Sequence, residues 1–403
     1  MGTSTGMKSR PLIRLAFSGA ALLLGSSLGT GTRIAAAAPQ EEQEEEVVVK
    51  PPELSRAEVR SPEDVCLRAS TIVCEDFERP DKSKWNDYQN NALYVEHDAA
   101  LSGKQSLRQY YERGQSVAGW LGWHFGDHPD GGLRADERFE EIYFRFYHKF
   151  QKHWPDQFPP KFARISSRYA GEGLMFAWQE QLLISGRRPG GTPISSPMSS
   201  IEAPAGTLHL GDGNLRWLDR RELALKFAER KGEWVEMEMR VKLNSPGQSD
   251  GRITYWLNGD VVLDREGLNL RGAYTKTTIN VAMLEGYWNG GAPADGLKRW
   301  YDNVVIATEP VGCAVYTVRK KDLDEQSAWQ LQVATAADET AVVWDSGEVN
   351  GPGVEIDITQ EMGTFAEGAT RCLLPSDSYF MRARHAVGDT WSEWSEWSPM
   401  FEN

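Results

Sequence analysis

The chain reads as all-β: a large sandwich followed by a smaller one. Three observations predict this. Apolar residues recur at every second position in segment after segment. Gly, Pro, Asn and Asp punctuate those segments at short intervals. Between 64 and 398, only 220–230 has the composition of a helix, and it is short.

The N-terminus precedes any sandwich. Lys8, Arg10 and Arg14 form a basic cluster, 15–28 is apolar with interspersed Gly and Ser, and 35–38 is four alanines. That order predicts a signal peptide over 1–38. The apolar run is short for a membrane span, which makes an uncleaved anchor the lesser expectation; Met7 is a second possible start. Residues 39–63 carry Glu41, Glu42, Glu44, Glu45, Glu46 and Pro51-Pro52. Such a segment has too little apolar surface to offset its ordering entropy, so a disordered acidic linker is expected.

The first domain is expected over 64–311. Strands are predicted at 106–111, 141–150, 162–166 and 174–182. In 234–243, Val235, Met237, Met239, Val241 and Leu243 alternate with Trp234, Glu236, Glu238, Arg240 and Lys242. Ser245-Pro246-Gly247 and Asp250-Gly251 turn the chain into 252–257, and Asn258-Gly259 turns it again. Ile279, Val281 and Met283 mark the next strand, and 300–307 the last. The Gly-, Pro- and Ser-rich stretch 185–206 reads as a long loop near a cleft. In 141–150, Tyr143, Arg145, Tyr147 and Lys149 share one face, while Ile142, Phe144, Phe146, His148 and Phe150 share the other. The apolar face is core; the Tyr/Arg face is a groove or a solvated back.

The second domain is expected over 312–403. Alternation returns at 329–333, 354–358 and 379–384, followed by Trp391-Ser-Glu-Trp394-Ser-Glu-Trp397-Ser. Arg382 and Arg384 lie on one strand face, so their guanidinium groups are expected to slot between the three indoles. Only about 16 residues separate Cys313 from Trp329, too few for two opening strands of ordinary length. The module is therefore truncated, or takes a strand from the linker.

Against 44 basic residues stand 58 acidic ones, for a net charge of −14. This excludes nucleic acid as an expected partner. It also supplies no global attraction for an acidic polysaccharide. Four cysteines in an exported chain predict two disulfides, with proximity favouring Cys66–Cys74 and Cys313–Cys372 among three connectivities. Secretion, the periplasm or the cell surface is the expected location.

The phrase V-K-L-N-S-P-G-Q-S-D-G at 241–251, then W-L-N-G at 256–259 and Y-D-N-V-V at 301–305, resembles the second half of a concanavalin A-like jelly roll. The resemblance is to secreted polysaccharide lyases that cleave alginate or glucuronan. The C-terminal segment resembles a fibronectin type III module, with Tyr379 at the place of its tyrosine corner. In such jelly rolls the first and last strands lie side by side. Asp76, Glu78 and Asp302 are thereby weak candidates for a structural Ca²⁺, the other reading being solvated acids at a sheet edge. No other cofactor is expected.

What the lyase resemblance implies is β-elimination on a uronate polymer. One group neutralises the carboxylate, a base removes the adjacent proton, and an acid protonates the leaving oxygen. The segment Pro160-Lys161-Phe162-Ala163 is similar to the family's lysine segment, which makes Lys161 the base. Arg145 or Arg164 would neutralise the carboxylate, and Tyr147 would be the acid, with Tyr169 as a substitute. The family's paired tyrosines have no counterpart in 175–181, where Gln179 and Gln181 stand instead.

Local basic density around Lys149, and the aromatic and imidazole side chains Trp120, Trp123, His124 and Trp288, complete the expected substrate contacts. Hydrolysis needs two cleft carboxylates; Glu236 and Glu238 share a strand face and are candidates, but flanking Lys and Arg suggest a solvated ladder. Two rivals stand beside the lyase: a lectin-like protein without catalysis, and a surface protein that binds a protein partner through W-S-E-W-S-E-W-S.

Overall fold

The computed structural model describes residues 48–59, 63–89, 93–97, 99–155, 163–168, 176–185, 194–200, 215–216, 230–271, 275, 278–288, 290–321, 325–367, 372–373 and 378–401. Among these there is no α-helix, only 3-10 turns at Asp64–Leu67, Lys82–Lys84 and Glu339–Ala341. The expected signal peptide, Lys161, Tyr169 and most of the expected helix at 220–230 lie outside the described residues.

In chain order the strands open with β1 (Glu58–Val59), β2 (Thr71–Glu75), β3 (Asp87–Gln89), β4 (Leu93–Glu96), β5 (Ser106–Tyr111) and β6 (Trp120–His124). Next come β7 (Glu141–Phe150), β8 (Ala163–Arg168), β9 (Phe176–Ser185), β10 (Ile194–Ser200) and β11 (Leu215–Arg216). The lower half of the large sandwich is β12 (Trp234–Lys242), β13 (Gly251–Leu257), β14 (Asp260–Leu268), β15 (Val281–Leu284) and β16 (Leu297–Ala307). The small sandwich adds β17 (Tyr316–Arg319), β18 (Gln326–Ala334), β19 (Val342–Asp345), β20 (Val349–Asn350) and β21 (Glu355–Asp357). It closes with β22 (Thr364–Phe365), β23 (Phe380–Val387), β24 (Thr390–Trp391) and β25 (Ser398–Pro399).

Two large antiparallel sheets face each other. One is eight-stranded, β14-β13-β12-β7-β16-β5-β4 with β2 alongside β16; the other is seven-stranded, β11-β10-β9-β8-β15-β6-β3. Between them lie Phe144, Phe146, Phe150, Met237, Met239, Trp123, Ile165 and Leu284. The residues of β7 and β12 among them are the alternate positions that the period of two assigned inward, whereas in β15 Leu284 faces the core and the expected Val281 and Met283 do not; burying each large apolar side chain contributes roughly 1.5–3 kcal/mol. The expected loop at 185–206 contains strand β10, which pairs along its whole length with β9.

Asn258 and Gly259 take φ of 52° and 80°, the pair of positive values that a two-residue hairpin turn needs. Gly259 is required twice over. A Cβ there would meet the sulfurs of Cys313 and Cys372 at 3.2 Å, because the hairpin tip packs on that disulfide. Both expected disulfides, Cys66–Cys74 and Cys313–Cys372, are present.

The small sandwich packs Trp329, Leu331, Val333, Trp344, Ile356 and Met381 around one core. Its three-stranded sheet is β1-β17-β21, so its first strand comes from the segment expected to be a disordered linker. Glu58 pairs with Thr317 and Val59 with Tyr316. The Ser55 N–H donates to Arg319 O at 2.7 Å, and the Ala57 N–H to Met400 O at 2.9 Å. Ala57 is buried in the module's core, with Leu54 and Val59 against it. Residues 54–59 therefore supply the strand that the short Cys313–Trp329 spacing left wanting.

The arginine–tryptophan ladder is continuous. Arg382 lies 4.5 Å from the ring centroids of both Trp394 and Trp397, and Arg384 lies 4.7 Å from those of Trp391 and Trp394. Gln332 and Gln330 accept from the two guanidinium groups on their inner side.

Candidate active site

On the outer face of the eight-stranded sheet, Tyr143, Arg145 and Tyr147 of the β7 row neither line a groove nor meet solvent. Arg145 and Tyr147 are fully buried. Arg145 donates to Glu63 at 2.8 Å, and its guanidinium lies 5.2 Å from the Tyr147 ring centroid. The Tyr147 hydroxyl accepts the Ala314 N–H at 2.7 Å, inside a cluster with Trp234, Trp300 and Ala314. Burial pushes its phenol well above the usual range. Lys149 sits with its ammonium 5.9 Å from the Trp234 ring centroid. The chain that enters the small sandwich covers this face at Tyr147, so Tyr147 and the neighbouring Arg145 hold a junction.

Glu236 and Glu238 lie on that same face and are buried, contrary to a solvated ladder. Glu238 accepts the amides of Val311 and Gly312, each at 2.9 Å, which leaves neither oxygen free for nucleophilic work. Glu236 accepts the Gly259 amide at 3.2 Å. Its carboxyl is pushed up to about 8, by burial first and then by the charge of Glu238. A groove of about 420 Å³ opens beside them, lined also by Arg68, Trp256, Ile358 and Phe365.

The outer face of the seven-stranded sheet is different. Register places Gly122, Met283, Arg164, Gln181, Met198 and Arg216 in one row across the strands. The next row is His124, Val281, Ser166, Gln179 and Ser200. Arg164 donates to Glu285 at 2.7 Å and to the Met283 sulfur at 3.0 Å, with both charged groups buried. The pair is held from behind. Arg299, fully buried in the core, donates to the Glu285 backbone oxygen and to Gln109, and Gln109 donates to Gly119 O at 3.0 Å. Trp120 is half-buried, and Tyr287, beyond Glu285, is exposed.

At the far end of β6, the rings of His124 and His128 stack 3.5 Å apart, 22° from parallel. The His124 N–H donates to Asn86 Oδ1 at 2.8 Å, and His128 Nδ1 accepts the Asp130 N–H at 3.1 Å. Asn280 clasps β8 nearby: its Oδ1 accepts the Arg168 N–H at 2.8 Å, and its Nδ2 donates to Arg168 O at 2.6 Å.

The structure thus brings Trp120, His124, Arg164 and the backbone position of Gln179 to one face. It puts Arg145, Tyr147 and Lys149 on the opposite side of the sandwich. Trp123 and Trp288 are core: Trp288 stacks on Trp154 at 5.8 Å and meets the edge of Tyr111. Sequence reasoning missed Glu285, Arg299, Gln109 and Asn280. Alternation of Met283, Glu285 and Tyr287 with Ala282, Leu284 and Gly286 was the signal for Glu285. A buried arginine inside β16 has none.

The candidate calcium ligands act as loop anchors. Asp302 accepts the amides of Leu101 and Asn303 at 2.7 and 2.8 Å, and burial raises its carboxyl well above the usual range. Glu78 accepts the Lys104 and Gln105 amides at 2.6 Å, and Asp76 accepts the Glu78 amide at 3.1 Å.

Residues 222–295, which include β12 to β15, match the family model for Polysaccharide lyase 14. No curated protein matches the chain. Among solved structures, an endo-β-1,4-glucuronan lyase from the fungus Trichoderma reesei is similar at 14% identity, over 59% of this chain and 96% of that one, with a TM-score of 0.37. An alginate lyase from Chlorella virus is similar at 10% identity, over 59% and 100%, with a TM-score of 0.42. A PL-14 alginate lyase from Aplysia kurodai is similar at 12% identity, over 60% and 100%, with a TM-score of 0.39. Likeness at this level assigns the chain neither an activity nor a substrate.

Proposed function

We propose that the protein is an exported polysaccharide lyase that cleaves a uronate-containing polymer by β-elimination on the outer face of its seven-stranded sheet. The observation that carries this reading is the match of 222–295 to Polysaccharide lyase 14, a stretch that ends just beyond Met283 and Glu285 on that face. Elimination breaks the C–H bond beside the carboxylate and the C–O bond to the leaving sugar, and a carbon–carbon double bond forms. Arg164 receives the uronate carboxylate, which competes with Glu285 for the guanidinium. Lys161, two residues ahead of β8, takes the proton and, as an ammonium, returns it to the leaving oxygen. Trp120 offers a ring for a sugar to stack on.

Tyr147 has no part in this chemistry, because its hydroxyl lies on the other side of the sandwich. A Ca²⁺ at Asp76, Glu78 and Asp302 would have to displace the amides those carboxylates accept. The small sandwich is a fibronectin-like spacer. Export follows from the basic-apolar-alanine order of 1–38 and agrees with two disulfides. No helix among the described residues is long and apolar enough to cross a membrane.

The test is incubation of the purified protein with alginate, glucuronan and heparin, following the ultraviolet absorbance of new unsaturated ends. Growth of that absorbance with one polymer, and its loss in both Lys161→Ala and Arg164→Ala, is the expected result. The second reading, a lectin without catalysis, draws on the prior pairing of Arg164 with Glu285. Binding of a uronate polymer with no new absorbance would establish it instead.

A further inference from the structure

We infer that His124, His128 and Asp130 form a binding site for one divalent transition-metal cation of the zinc class, at the end of β6 on the outer face of the seven-stranded sheet. One ligand atom from each residue lies within 4.8 Å of the other two. Two nitrogen ligands of a tetrahedral zinc, each bonded at ~2.0–2.1 Å, stand about 3.3–3.4 Å apart. The three donors are thus within about 1.5 Å of a chelating arrangement. Two imidazoles and one carboxylate select zinc, cobalt or nickel over calcium, which prefers an all-oxygen shell.

The setting is that of a built site. His124 and His128 are both buried, whereas Asp130 is exposed, so entry is from one side. The loop that joins them closes on itself: Leu133 donates to His124 O at 3.0 Å, and Gly126 donates to Leu133 O at 2.9 Å. Asn86 fixes the His124 backbone. His128 Nδ1 accepts the Asp130 N–H, so that nitrogen already presents a lone pair rather than a proton. The cation takes that lone pair from the amide. The adjustment falls on Asp130 and the Gly131-Gly132 turn after it, while the two rings tilt further from parallel. The neighbouring Asp127 is not available as a fourth ligand, since Thr278 and Arg138 hold it. Water fills the remaining positions.

Binding of the cation stands independently of the lyase reading; its role rests on it. Arg164 arrives already paired with Glu285, so a cation one strand row away adds positive charge beside that pair.

The test uses the full chain stripped with a chelator and titrated with Zn²⁺ by calorimetry, and with Co²⁺ by visible absorption. One equivalent is expected, with a tetrahedral Co²⁺ spectrum and a rise in melting temperature on adding Zn²⁺. His128→Ala and Asp130→Ala should each weaken binding at least tenfold. Asp130 is exposed, so its variant keeps the test open if His128→Ala fails to fold. Absence of stoichiometric binding, or unchanged affinity in Asp130→Ala and His128→Ala, overturns the site. Stoichiometric Zn²⁺ binding by a protein that cleaves no uronate polymer would overturn the lyase reading and leave the site standing.

Discussion

The hydroxyl of Tyr147 accepts the backbone N–H of Ala314 at 2.7 Å, so a strand of the large sandwich fixes the first residues of the small one. Tyr147→Phe deletes that acceptor and keeps the ring. The variant should lose about 1–3 kcal/mol of stability in a denaturant titration, since a buried N–H goes unpaired. Turnover of any polymer the parent cleaves should not change. A large loss of turnover at wild-type stability would return Tyr147 to the chemistry.

Glu236 gives the fold a pH dependence of unusual sign for a carboxylate. Its carboxyl, ordinarily near 4.5, is held up to about 8 by burial. Between those values the unfolded chain ionises and the folded one resists. The contribution is therefore fully present below about 4.5 and is lost as pH rises through about 8. Glu236→Gln keeps an oxygen for the Gly259 amide and removes the ionisation. The variant should lose less stability than wild type between pH 5 and pH 8; parallel stability profiles would refute the assignment.

Arg384 lies between Trp391 and Trp394, and its guanidinium also donates to Gln330 at 2.8 Å. Arg384→Ala should cost the small sandwich about 1–2 kcal/mol, from two cation–π contacts and the packing of the side-chain stem. Scanning calorimetry of the full chain reads the effect as a downward shift in the transition of the small sandwich. An unshifted transition would mean that the ladder adds nothing to its stability.

Ala57 is buried among Tyr316, Val318 and Met400 in the core of the small sandwich. Ala57→Asp places a charge there without a partner. The module should then melt below the large sandwich by several degrees or more, since an unpaired buried charge costs several kcal/mol. Limited proteolysis should cut the variant first within 316–401. A cleavage pattern identical to that of wild type would show that the strand is dispensable.

Much of the fold was legible because a period of two is a backbone property. The inward set of β12, Val235 to Val241, packs where alternation put it. The outward set was misread, because alternation separates two faces and does not say what covers the second one. Glu236, Glu238, Arg145 and Tyr147 look like surface until another sandwich lies over them. Trp123 and Trp288 were ambiguous for a related reason: an indole suits a sugar and a core equally. The strand at 58–59 was hidden by its length, since two residues after an acidic run carry no periodicity. Arg164 and His124 were picked for their chemistry, but only the register between β6, β15 and β8 brings them onto one face.

The strand from 54–59 has a kinetic meaning. These residues leave the ribosome before any of the large sandwich, and their partners Tyr316, Arg319 and Met400 leave it after all of that sandwich. The small sandwich cannot close until the whole intervening domain has been made, and the early segment must stay unaggregated while it waits. An acidic, Pro-flanked sequence suits that interval, because it repels its own copies and offers no long apolar edge. Closing so long a loop is slow, so the last step of folding should be the docking of this strand, with a rate that follows the length of chain between its two ends.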